Sequence, residues 1–308
     1  MKKFLLRFFI FLITFLIIVF FIAYQADIPV DKLKEKYANG ESNFIQIESV
    51  NAHYRIEGKG RPLVLLHGTG ASLHTWDGWV AALKDSFQII RMDLPAFGLT
   101  GPNEKGDYSI KSYRNFLNSF FRQLQIDTFY LAGNSLGGRI AWDYSVAYPD
   151  QVKKLVLLDA AGAPNDRGEP AVFKLAKNPF TAFLLKNILP KSFIEKNIKE
   201  VYFDQSKITQ AIIDRYHALA LRTGNRQAFI DRTKTPYSDA SGHLAKINCP
   251  TFIMWGEHDQ WVPVEDAYFF EKEIPDNKLK IYDNAGHVPM EEIPEETARD
   301  AEKFLLNN

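Results

Sequence analysis

Cysteine is almost missing from this chain. Cys249 stands alone among 308 residues, so no internal disulfide can form, and its place just before an apolar run reads as a small buried side chain. An excess of charge of one sign is lacking too: Lys and Arg number 37, as do Asp and Glu. That balance removes the basic surplus that nucleic-acid binding calls for, so no nucleic acid is expected as a partner. No His-Glu-x-x-His, no paired Cys-x-x-Cys and no phosphate-binding loop occurs, and therefore neither metal nor cofactor is implied.

What the chain does have begins at its N-terminus. Phe4 to Ala23 is apolar except for Arg7 and Thr14, long enough as a helix to cross a hydrocarbon core of about 30 Å. Residues 1–25 are expected to be a transmembrane anchor and 26–42 a charged tether, with a short helical turn pairing Leu33 with Tyr37. A cleaved signal peptide is the rival reading. The run is long for the apolar region of a signal, however, and no small-x-small cleavage site follows it. Lys2, Lys3 and Arg7 before the run, set against Lys32, Lys34 and Lys36 after it, favour a single-pass membrane protein whose folded domain is outside the cytoplasm.

From residue 43 the pattern alternates. Phe44–Ile47 and His53–Glu57 read as a half-exposed antiparallel hairpin. Leu63–Leu66, Ile89–Met92, Phe129–Ala132, Leu155–Leu158, Thr251–Trp255 and Leu279–Tyr282 are short apolar runs typical of buried parallel strands. Helical patterns lie around Trp76–Leu83, Ile110–Leu124 and Leu136–Tyr148, and Pro294–Leu306 closes the chain as an amphipathic helix. Such a series predicts an α/β fold with a mostly parallel sheet covered by helices on both faces. Residues 162–242 interrupt it with helical, aromatic-rich periodicity, too long for a loop. They are expected to be a helical cap inserted into a core of residues 43–161 and 243–308. The insertion carries 13 Lys and Arg against 8 Asp and Glu; a solvated helical surface accounts for that, with attraction to anionic headgroups or acidic substrates as the alternative.

The strand Phe129–Ala132 runs straight into Gly133-Asn134-Ser135-Leu136-Gly137-Gly138, where a helix begins. A strand, a tight turn and a helix with serine at the apex push the hydroxyl out of the sheet edge beside free backbone N–H groups. Gly-x-Ser-x-Gly alone is weak, because a glycine-rich connecting loop would look the same; the rest of the chain gives it weight. A serine hydroxyl at neutral pH needs a base, and the base needs an acid to orient it. His287, in Asn284-Ala285-Gly286-His287-Val288-Pro289 after the last strand, is presented from a loop and is the candidate base. His53, His217, His243 and His258 are placed less well, and His67 reads as structural. Asp259, in the loop after Thr251–Trp255, is the candidate acid, with Asp159 and Glu257 as competitors; the order Ser, Asp, His along the chain decides for Asp259. The N–H groups of Leu136, following the serine, and of Thr69, in His67-Gly68-Thr69-Gly70, are the candidate oxyanion donors. The latter tetrapeptide also resembles a dinucleotide fingerprint, but Leu73 stands where its third glycine belongs.

These motifs, with Asp93-Leu94-Pro95-Ala96-Phe97-Gly98 and Gly256-Glu257-His258-Asp259, resemble the α/β-hydrolase superfamily from Phe44 to Leu306. The resemblance implies the fold of that family with a helical cap, and Ser135, Asp259 and His287 as its triad. Serine at 135 separates the chain from haloalkane dehalogenases and epoxide hydrolases, which use aspartate there. Gly-Asn-Ser-x-Gly-Gly looks like the meta-cleavage-product hydrolases, which split carbon–carbon bonds, although Val288 stands where those relatives usually carry an aromatic residue. The expectation is a membrane-anchored serine hydrolase acting on carboxylic esters or related acyl substrates. Its expected partners are a small apolar acyl substrate and, through the N-terminal helix, the lipid bilayer. A carbon–carbon bond hydrolase, or a silent ligand-binding module on the same scaffold, are the alternatives.

Overall fold

The structure, a computed structural model, describes residues 1–164, 169–236 and 239–307. It opens on helix α1 (Lys2–Ala23), 22 residues with mean hydropathy 3.0 and no buried side chain. At 1.5 Å per residue α1 is about 33 Å long, which is long and apolar enough to cross a membrane. Helix α2 (Val30–Tyr37) follows and buries Leu33 and Tyr37 against Leu99 and Leu219.

The strands are β1 (Ser42–Ile47), β2 (Val50–Glu57), β3 (Arg61–Leu66), β4 (Phe87–Met92), β5 (Phe129–Asn134), β6 (Val152–Leu158), β7 (Thr251–Gly256) and β8 (Asn277–Tyr282). They form one sheet in the order β1-β2-β4-β3-β5-β6-β7-β8. β1–β2 and β2–β4 are antiparallel, and every later pairing is parallel. Helices α3 (Asp77–Leu83), α4 (Ile110–Gln123), α5 (Leu136–Ala147), α11 (Glu265–Glu273), α12 (Pro289–Glu292) and α13 (Pro294–Leu306) belong to this core. Between β6 and β7 come α6 (Ala171–Lys177), α7 (Pro179–Asn187), α8 (Lys191–Val201), α9 (Gln210–Ala220) and α10 (Asn225–Lys234).

The near-continuous apolar runs are explained by burial on both faces of the sheet. Val64 and Leu66 of β3, Leu131 of β5, Leu155 and Leu157 of β6, and Ile253 and Trp255 of β7 join one cluster. Their alternate neighbours Leu63, Leu65, Ala132, Val156, Leu158, Phe252 and Met254 join the other. Successive strand side chains point to opposite faces, so a strand covered on both sides has no position left for a polar residue. The chain therefore has the α/β-hydrolase fold: a mostly parallel eight-stranded sheet flanked by helices. Strands extend one to three residues beyond the sequence-derived bounds. The expected helix over Trp76–Leu83 is a 3-10 turn, Leu73–Trp76, feeding α3.

Register fixes what meets at the carboxyl edge. Leu66 of β3 pairs with Gly133 of β5, and Asn134 pairs with Leu158 of β6, which also pairs with Met254 of β7. The loops leaving these four strands therefore emerge side by side, the usual location of a site in an open α/β sheet.

Candidate active site

Ser135 sits between β5 and α5 with φ of +54° and ψ of −116°, a backbone region that non-glycine residues rarely occupy. Its surroundings leave it no alternative. The Ser135 N–H donates to Leu158 O at 3.1 Å, and its own carbonyl accepts from Arg139 N at 2.9 Å and Ala161 N at 3.0 Å. The flanking glycines are required by contact. A Cβ on Gly133 would lie 2.3 Å from Gly137 O, and one on Gly137 would lie 2.2 Å from Leu66 O. Leu136 is the first residue of α5, so its N–H has no helical carbonyl to bond and stands where the helix dipole is positive. A Cβ added to Gly68 would meet Ser135 Cβ at 3.1 Å, which places the Gly68–Thr69 backbone against the serine.

Asp259 and His287 come together in the loops after β7 and β8. His287 Nδ1 lies 2.6 Å from Asp259 Oδ2, and both side chains are buried. The other Asp259 oxygen accepts from Trp261 N at 2.7 Å and Val262 N at 2.9 Å. The carboxylate is thus fully employed in holding the imidazole with Nδ1–H toward it and Nε2 directed elsewhere. Thr69, Asn134 and His287 line one deep cavity.

Asn134 and Glu292, not singled out as site residues from sequence, and Asp159, weighed there as the rival acid, also shape the site. Asn134 Nδ2 donates to His287 O at 2.9 Å and to Leu158 O at 3.2 Å, tying the serine turn to the histidine loop. Glu292, 2% exposed, accepts from Gly286 N at 2.8 Å, Phe203 N at 3.3 Å and Asp204 N at 2.5 Å. It therefore clasps the histidine loop to the chain after α8, as does the 2.8 Å bond from His287 N to Val201 O. Asp159, the competitor acid, is fully buried at φ of +45° and accepts from Gly256 N at 2.9 Å. Burial first, and the neighbouring Asp259 carboxylate second, push its carboxyl well above the usual carboxylate range. Two carboxylates cannot both ionise cheaply in so small a dry space, so the proton stays on Asp159.

One atom each of Asp159, Asp259 and His287 lies within 4.8 Å of the others. Nδ1 of His287 is already engaged with Asp259, which suits the trio poorly to holding a metal. His67, read as structural, accepts from Leu94 N at 2.9 Å and bonds Gly68 O at 2.7 Å. His258 stacks on Phe203 at 3.9 Å and bonds Asp283 O. His53 is held by Asp93 at 2.7 Å.

The cavity encloses about 1150 Å³ including its open mouth. One wall is apolar, built by Phe173, Leu185, Phe193 and Ile194 of the helices between β6 and β7 and by Leu189 between α7 and α8, with Trp261 near the histidine. An elbow serine, a carboxylate-held imidazole and this cavity at the carboxyl edge of a doubly covered sheet define a hydrolase class. The family model for the alpha/beta hydrolase fold matches residues 61–294, and the chain belongs to that family. The 2-hydroxy-6-oxo-6-(2'-aminophenyl)hexa-2,4-dienoic acid hydrolase of Metapseudomonas resinovorans is 28% identical over 276 residues, 85% of this chain and 90% of that protein. Lipase 1 of Psychrobacter immobilis is 27% identical over 257 residues, 80% of this chain and 77% of the lipase. Among solved structures, a bacterial membrane phospholipase A superposes with a TM-score of 0.76 at 26% identity, covering 99% of this chain and 98% of its own. That coverage takes in α1.

Proposed function

We propose that this protein is a membrane-anchored serine hydrolase that cleaves carboxylic esters of apolar acyl chains. Ser135 is the nucleophile, His287 the general base, Asp259 the acid that orients it, and the Leu136 and Thr69 N–H groups the oxyanion donors. The observation that carries this reading is the 2.6 Å contact between His287 Nδ1 and Asp259 Oδ2 at the same sheet edge as the strained Ser135 turn. His287 Nε2 takes the proton from Ser135 Oγ as the oxygen attacks the ester carbonyl. The carbonyl oxygen becomes an oxyanion facing the two amides. His287 then returns the proton to the leaving alkoxide, and the acyl-enzyme is released by water activated in the same way. Residues 162–242 act as the cap whose apolar wall receives the acyl chain. Residues 1–25 act as the anchor, with the catalytic domain on the non-cytoplasmic side; the alignment with the membrane phospholipase A over nearly the whole chain supports the anchor.

The test is a side-by-side assay of nitrophenyl esters from acetate to laurate and of a vinylogous diketone ring-fission product, with fluorophosphonate labelling of the full chain. Ester hydrolysis is expected to rise with chain length to a steric limit. Ser135→Ala is expected to abolish both labelling and turnover, and Asp259→Asn to cost a few orders of magnitude, roughly as in other triads. Preference for the diketone by several orders of magnitude in kcat/KM would replace the ester reading with carbon–carbon cleavage. No labelling and no turnover of either substrate would favour a silent binding module.

A further inference from the structure

The segment that leaves α1 does not hang free. Gln25 N donates to Asn187 O at 2.9 Å, and Gln25 Oε1 accepts from Leu189 N at 3.0 Å. Ile28 N donates to Leu221 O at 2.7 Å, and Ile28 O accepts from Thr223 N at 3.0 Å. Asp27 is paired with the buried Arg226 at 2.7 Å. The segment after α1 is thereby bound to the end of α7, to the turn between α9 and α10, and to α10, all of which border the cavity.

The contacts also set a direction. Phe20, inside the apolar run of α1, stacks on Phe183 of α7 with ring centroids 5.8 Å apart and planes at 11°. Five residues later Gln25 meets Asn187, four residues beyond Phe183. The two helices thus advance in the same sense, and following α7 backward leads along α1 toward its interior. Phe20 is three residues before the end of α1, about 4.5 Å inside it, and Phe183 shares that level. Phe180 lies one turn earlier on α7, farther from Asn187 and on the side toward the interior of α1. Phe180 is 71% exposed and Phe183 54%; beyond the first 23 residues, Phe180 is the most exposed large apolar side chain among the described residues. Two adjacent phenylalanines on one helix face, standing in water, carry an unfavourable hydration that lipid removes. The opposite side of the same helix contributes Leu185 to the cavity that ends at His287.

We propose that the Phe180–Phe183 face of α7 is inserted in the bilayer that α1 spans. Lipid acyl chains would then enter the cavity from the hydrocarbon past α7, without crossing water. The proposal rests on the anchor reading of α1 and deepens it: the substrates are acyl esters resident in that bilayer, and α7 is the doorway.

The test uses the full chain in vesicles of phosphatidylcholine and phosphatidylglycerol. Cys249 is buried, so Phe180→Cys, Phe183→Cys, Phe11→Cys and Tyr268→Cys can each be labelled with an environment-sensitive fluorophore. Labels at 180 and 183 are expected to be quenched by spin-labelled lipid and shielded from aqueous iodide, as at 11, while a label at 268 on α11 behaves oppositely. Iodide quenching at 180 and 183 with lipid quenching at 11 would overturn the doorway and leave the anchor standing. Iodide quenching at 11 as well would overturn both. In parallel, Phe180→Ser with Phe183→Ser is expected to lower the ratio of vesicle-lipid hydrolysis to soluble-butyrate hydrolysis about tenfold. An unchanged ratio would overturn the proposal.

Discussion

The sheet core and the helical insertion are held in different ways. In α5, ten of twelve residues are buried, whereas α6, α7 and α8 bury one each: Ala176, Ala182 and Ile198. The core is fixed by apolar area removed from water, on both faces of every central strand. The insertion gives fewer side chains to the clusters on those faces, among them Ile198, Tyr202, Ile213 and Ala228, and adds polar ties: Val201 O to His287, Glu292 to Phe203 and Asp204, Asn187 and Leu221 to the segment after α1, and Arg226 to Asp27. Burial of that density makes a sequence intolerant of change. Point-wise ties leave most side chains of α6 to α8 free to vary without loss of fold, and that is where the cavity wall is built.

The sharpest way to break this contrast is a pair of truncations. Leu157→Ala, in a fully buried position of β6, should cost about 2–5 kcal/mol and lower Tm by roughly 10 °C. Ile194→Ala, on the half-buried cavity wall, should cost about 1 kcal/mol or less and shift the preferred acyl chain longer by one or two carbons. Calorimetry and the nitrophenyl-ester series measure both. If the two variants lose equal stability, the contrast fails.

Glu292 joins the two regions, and replacing it tests the junction itself. Glu292→Gln keeps the volume but turns one acceptor into a donor aimed at backbone N–H groups, leaving them unsatisfied. Displacing the His287 loop by about 1 Å is expected to cost on the order of 10²-fold in kcat with little change in KM. Steady-state kinetics on one soluble ester would show it, and loss confined to KM would refute it.

The pH-dependent effect lies wholly inside the core. The Asp159 carboxyl is raised in the folded protein, so folding retains a proton that the unfolded chain releases above its ordinary carboxyl range. Stability from this group is fully present below the unfolded value and declines as pH rises, by about 1.4 kcal/mol per pH unit, until the folded value is passed. Asp159→Asn, which imitates the protonated form, should match wild-type Tm near pH 4 and exceed it at pH 8. A Tm difference that stays flat with pH would show that Asp159 does not carry the proton.

Much of this was legible in the sequence, for identifiable reasons. Strand runs such as Leu63–Leu66 and Leu155–Leu158 announce themselves because double-sided burial forbids alternation. Gly133 and Gly137 do so because a Cβ at either would collide with backbone, that of Gly137 and of Leu66 respectively. His287 follows from its presentation on a loop after the last strand and Asp259 from chain order, and the structure brings them within one hydrogen bond. Glu292 was missed because its partners, Phe203 and Asp204, are nearly ninety residues away and are backbone amides, which leave no trace in composition. The docking of Gln25 to Ile28 was missed for the same reason: main-chain pairing is indifferent to side-chain identity. Asp159 was seen only as a rival to Asp259, since its burial beside that residue depends on the register of β6 against β7.

The bond from His287 N to Val201 O has a mechanical meaning. Val201 is the last residue of α8, so whatever lifts α8 to widen the cavity pulls on the peptide that carries the base. Widening by more than about half an ångström stretches that 2.8 Å bond beyond a good hydrogen-bond length. On the proposed mechanism, admission of a bulky molecule and readiness to deprotonate Ser135 would be opposite ends of one displacement, like the two pans of a balance.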